Sequence, residues 1–102
     1  MLSVLKPIQL SQILDAVKAR EPVLKGKTDP RLWGLLEKLS LPALQEFAAI
    51  IWFAKDDFST FAAKLSHARE VIDTPSIGYI IARPLETLLP SGLKKLGLTL
   101  GN

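Results

Sequence analysis

SLPALQEFAAIIWFA, residues 40–54, is the stretch whose reading decides the fold. Leu44, Phe47, Ala48 and Ile51 recur at i, i+3, i+4 and i+7, the spacing that lines side chains along one face of an α-helix. Ile50, Trp52 and Phe53 fall off that face, so a helix over Ala43–Ala54 is apolar around most of its circumference. Such a helix must be enclosed by others, which makes it the expected centre of the fold. Ser40 is a good helix cap, Pro42 suits a first turn, and Glu46 stands near the positive end of the helix dipole. The apolar run Phe47–Ala54 is 8 residues, short of the roughly 18 to 20 that a bilayer span requires. No membrane contact is expected.

Upstream, Leu10, Ile13, Leu14 and Val17 share one helical face, with Asp15, Lys18 and Arg20 away from it. Pro22 disfavours helix at Glu21, and the stretch through Gly26 and Lys27 has no periodicity, which predicts a basic loop. Asp29 followed by Pro30 marks the start of a second helix with the stripe Leu32, Leu35, Leu36 and Leu39. Gly34 inside it costs about 1 kcal/mol relative to alanine, and a glycine there would let a neighbouring helix approach.

Downstream, Asp56 and Asp57 break the central helix. Ser59 is the expected cap of a fourth, with the stripe Phe58, Phe61, Ala62, Leu65, Ala68 and Ile72. Its wheel places His67 outward and Arg69 on the shoulder of the apolar stripe, about 40° from its centre at 100° per residue. Thr74 and Pro75 repeat the cap-then-proline signal before a short helix through Ile77, Tyr79, Ile80 and Ile81, which should stop near Arg83 because Pro84 follows. Leu85, Leu88, Leu89, Leu93 and Leu96 then keep helical phase to Gly97, a C-cap, with Pro90 expected to kink or split the helix. No stretch alternates as a strand does, and no repeat is visible. The reading is all-α: one domain over residues 1–102, a compact bundle of five to six short helices around a central apolar helix.

The totals agree with one domain. A chain of 102 residues builds one core, since domains most often hold roughly 100 to 150 residues. The absence of cysteine excludes a disulfide scaffold, a thiolate nucleophile and cysteine-ligated metals. Lys6, Pro7, Gln9, Gln12 and Asp15 interrupt any signal-peptide core, so a cytoplasmic location is expected. Charge is uneven: residues 1–31 hold six basic groups against three acidic, whereas residues 32–82 hold four against six.

Catalytic patterns fail one by one. Gly26-Lys27-Thr28 resembles the end of a phosphate loop, but the first glycine would fall at Glu21, after a helix rather than a strand. His67 is the lone histidine, and Ser66, Ser76 and Ser91 lack a nucleophile elbow. Asp56 and Asp57 are adjacent but project apart, and no metal-ligand spacing is present. The expectation is a protein without catalytic function, cofactor or metal. Lys25, Lys27 and Arg31 are anion-binding candidates, and the basic region from Lys18 to Arg31 supports an alternative reading as a nucleic-acid accessory protein, although no base-reading helix accompanies it. Trp52 and Phe53, with Leu89 and Leu93 of the last helix, are interface candidates. Arg69 near the core needs a carboxylate, and Asp56 or Asp57 are nearest in sequence.

The box Trp52 to Phe58, then Ala68 and Arg69, then Pro84, Leu85, Gly92, Leu93, Leu96 and Gly97, resembles a family of small bacterial proteins known only as a domain of unknown function. The resemblance covers about Leu39 to Gly97 and implies no activity. The functional expectation is therefore a noncatalytic protein–protein interaction module, with a homodimer as one form of it.

Overall fold

Ser40 lies in extended backbone (φ −63°, ψ 158°), and its hydroxyl accepts the Ala43 N–H at 3.4 Å. The central helix therefore begins at Leu41 and runs to Lys55. The computed structural model describes residues 4–18, 30–56 and 58–97. In chain order the helices are α1 (Pro7–Lys18), α2 (Pro30–Glu37), α3 (Leu41–Lys55), α4 (Phe61–Val71), a 3-10 turn (Thr74–Ser76), α5 (Ile77–Ile81) and α6 (Leu85–Lys95), and no strand occurs among the described residues. The all-α bundle is as the periodicity predicts. No helix is long and apolar enough to cross a membrane among the described residues.

Every residue of α3 from Ala43 to Ile51 is buried, including Gln45 and Glu46. Its principal neighbours are α4 and α6, while α1 packs on α2 and α6, and α2 on α5. The two polar side chains inside this helix tie the bundle together. Glu46, 1% exposed, accepts the backbone N–H of Val4 at 3.0 Å and of Leu5 at 2.7 Å through one carboxylate oxygen. Gln45 donates from Nε2 to the carbonyl of Ile72 at 3.1 Å. Consecutive helical residues diverge by about 100°, so one helix turn pins the segment leading into α1 and the end of α4. Glu46 is thus a buried hydrogen-bond acceptor rather than only a partner of the helix dipole.

The close approach that a glycine permits lies on α6. A Cβ on Gly92 would stand 2.6 Å from the carbonyl oxygen of Ile50 and 2.7 Å from its Cγ2, closer than atoms can sit. At Gly34, where the sequence suggested such packing, a Cβ would meet nothing within 4 Å among the described residues. Because α6 lies this tightly on α3, Leu89 and Leu93 are 0% and 4% exposed. They belong to the core, which corrects their reading as interface residues. Pro90 does not split this helix: α6 continues across it, with Pro90 on the exposed side, where a missing N–H costs least.

Local chemistry sets the remaining boundaries. Thr60, not Ser59, caps α4, its hydroxyl accepting the Ala63 N–H at 3.1 Å. Asp73 and Ser76 close the next turn: the Asp73 N–H donates to the Ser76 hydroxyl at 3.2 Å, and that hydroxyl donates to the Asp73 carboxylate at 3.0 Å. Gly97 follows α6 at φ 74°, the left-handed conformation that ends a helix, with its N–H on the Lys94 carbonyl at 3.0 Å.

Gly92→Ala tests the α3–α6 approach. Overpacking of this kind costs about 1–3 kcal/mol, and each kcal/mol moves the melting midpoint of a domain this size by about 4–8 °C. Thermal unfolding should therefore show a fall of several degrees, despite the better helix propensity of alanine; an unchanged or raised midpoint would contradict the geometry.

Candidate interaction surface

The α3–α4 corner is built by one carboxylate. Asp56 has left helical backbone (φ −124°, ψ 114°), and its side chain turns back over the following residues. One oxygen accepts the Phe58 N–H at 2.8 Å; the other accepts the Ser59 hydroxyl at 3.0 Å and lies 2.7 Å from the Lys64 ammonium. An aspartate bonded to the N–H two residues on forms a side-chain turn that replaces a backbone one. The result is a defined corner with Phe58 at its tip, 100% exposed.

From the other side the corner is held by α6. The Lys95 ammonium donates to the carbonyl of Phe53, in the last turn of α3, at 2.6 Å and to that of Asp56, just beyond it, at 2.9 Å, and stands 4.5 Å from the centre of the Phe53 ring. A cation at a helix C-terminus also meets the negative end of the helix dipole, here beside a Phe53 carbonyl that already accepts the Asp56 N–H at 3.3 Å. Phe53 meets Phe61 edge to face at 5.9 Å, and Trp52 meets His67 at 5.2 Å with the rings tilted 39°. Trp52 and Phe53 are both half-buried. These two rings are aromatic surface that is neither core nor loose side chain.

The residues expected to carry function fall in several places. Phe53 stands at this corner against Lys95, Trp52 packs on His67 of α4, and Leu89 and Leu93 lie in the core. Arg69 is exposed rather than at the core edge, and Asp56, one of its two expected partners, pairs with Lys64, which the helix presents one turn after Thr60. Asp57, Lys25 and Lys27 lie outside the described residues. Arg31 is exposed in the first turn of α2, and Lys18 is exposed at the end of α1. Phe58 was assigned to the apolar stripe of the fourth helix and stands instead outside it, because the Asp56 side chain stops the chain from re-entering helix until Thr60. The Asp56-x-Phe58-Ser59 spacing is the signal that could have shown this.

No groups of three or more metal-ligating side chains occur among the described residues. No family model matches the chain, and neither a curated protein nor a solved structure matches it.

The Lys64 ammonium, with the Phe58 N–H and Ser59 hydroxyl, holds the Asp56 carboxyl well below the usual carboxylate range. A depressed folded-state value contributes stability that is present above the unfolded value and lost as the pH falls towards the folded one. The side chain is 29% exposed, so water screens the effect. Asp56→Asn keeps an acceptor for the turn and removes the charge. Denaturant unfolding should find wild type the more stable at neutral pH, with the gap narrowing as the pH drops below the ordinary carboxylate range; a gap constant down to strongly acidic pH would contradict the role of the charge.

Proposed function

We propose that this protein is a noncatalytic interaction module of the bacterial cytoplasm that engages a protein partner through the α3–α4 corner, with Phe58 as its anchor. The observation that carries this reading is Phe58 itself: a fully exposed aromatic whose backbone N–H is held by Asp56. An isolated exposed apolar side chain on a loose loop would be unremarkable. One on a held turn is different, because the backbone part of the ordering cost that binding incurs has been met during folding. Large aromatic side chains concentrate binding energy when they enter a pocket, and the preceding helix end carries two more half-buried aromatics, Trp52 and Phe53. A second copy of this chain is one version of the partner.

Phe58→Ser tests the reading. As an exposed position, it should alter stability by no more than about 0.5 kcal/mol, while loss of an anchor weakens binding by tenfold or more, about 1.4 kcal/mol. Partner capture from native extract, with light scattering of the purified protein for self-association, should show wild type retaining a partner or dimerising and the variant doing neither. Equal retention and equal self-association by the two proteins would remove Phe58 from any interface.

A further inference from the structure

Between α1 and α2 runs a cleft that the interaction reading leaves unused. Gln12, Asp15, Pro30, Arg31, Gly34, Leu35 and Lys38 line a space of about 460 Å³, which continues, through shared Gln12, Leu35 and Lys38, into about 220 Å³ beside Gln9, Ile13 and Leu39. Small-molecule sites commonly occupy about 300–1,000 Å³. The lining residues Arg31, Gly34 and Leu35 of α2, with Lys38 just past its end and its N–H on the Gly34 carbonyl at 3.2 Å, are spaced i, i+3, i+4 and i+7, a single helical stripe. Gln9 and Gln12 come from the facing helix, and Asp15 lies at its Arg31 end.

Gly34 is the informative member. Nothing among the described residues lies within 4 Å of where its Cβ would be, so no helix packing seen in the structure calls for glycine. A glycine inside a helix is nevertheless costly. What its missing side chain does provide is room in the larger part of the cleft, beside Leu35. The two cations sit at opposite ends, about 10 Å apart along the helix axis. Asp15 and Arg31 both line one end. At the other, the lining contains Lys38 with no carboxylate, beside two amides. Gln9 already uses its amide oxygen to accept the Lys6 N–H at 2.9 Å, so what it offers a ligand is its NH2, a donor.

We infer that the α1–α2 cleft binds a small ligand with an anionic head at Lys38 and the Gln9 and Gln12 amides, and a flat apolar body lying over Gly34 and Leu35. This site is separate from the Phe58 corner and does not depend on it.

Anilinonaphthalene sulfonate has this chemistry, a sulfonate on a flat apolar body, and is a suitable probe. Titrated into the intact protein, it should give saturable one-site fluorescence, with amide NMR shifts centred on Gln12, Gly34, Leu35 and Lys38. Lys38→Gln should weaken binding about tenfold, as expected for loss of a charge-assisted hydrogen bond. Gly34→Leu should abolish it with the fold retained, and Phe58→Ser should leave it unchanged. Gly34→Ala, which adds helix propensity over empty space, should raise the melting midpoint by a few degrees. Absence of saturable binding, binding insensitive to Lys38→Gln and Gly34→Leu, shifts centred on the Phe58 corner, or a lowered midpoint in Gly34→Ala would each overturn the inference, the last by showing that the chain itself already fills the space.

Discussion

The backbone of α6 comes so near α3 that a methyl group at Gly92 would stand 2.6 Å from the carbonyl oxygen of Ile50, and the rest of the bundle is arranged around that approach. A helix apolar on all sides has no face it can leave in water, so its neighbours must close over it completely. With α6 seated at Gly92, Leu85, Leu89 and Leu93 reach the core, and Lys95 arrives at the C-terminal end of α3, where its ammonium meets the Phe53 and Asp56 carbonyls. The geometry of the exposed corner is therefore a consequence of packing inside the bundle. Core and surface are linked through one lysine.

Polar groups inside α3 do a complementary job. Apolar burial is non-directional and would tolerate several arrangements of short helices around a greasy centre. Buried donors and acceptors are less tolerant, because an unpaired one costs about 1–3 kcal/mol. Glu46 on the Val4 and Leu5 amides and Gln45 on the Ile72 carbonyl therefore select one placement of the segment before α1 and of the end of α4. Asp56 plays the same part at the surface, where its bonds to Phe58 and Ser59 choose one path for the turn.

Much of this was legible before the fold was seen, where local chemistry decides. Ser40 with Pro42 places the start of α3, the Asp29-Pro30 signal places the start of α2, and the all-round apolar character of residues 43–54 places α3 at the centre. What failed depended on contacts distant in sequence. Gly34 and Gly92 look alike as helical glycines, and only the position of Ile50 tells which one a neighbour requires. Leu89 and Leu93 looked like surplus apolar surface until α6 closed over α3. Arg69 is exposed, and Asp56 pairs with Lys64 from the same helix. Phe58 fits the period of α4, and the side-chain turn of Asp56 overrides that period. The cleft between α1 and α2 is invisible in sequence because its two walls come from separate helices, although Arg31, one of its cations, was already marked as an anion-binding candidate.

The account of function turns on whether Phe58 is held or merely exposed. Backbone 15N relaxation at Phe58 reads this directly. An order parameter near the rigid-backbone value of about 0.85 is the result the Asp56 turn predicts, and a value below about 0.6 would show a mobile tip and contradict it.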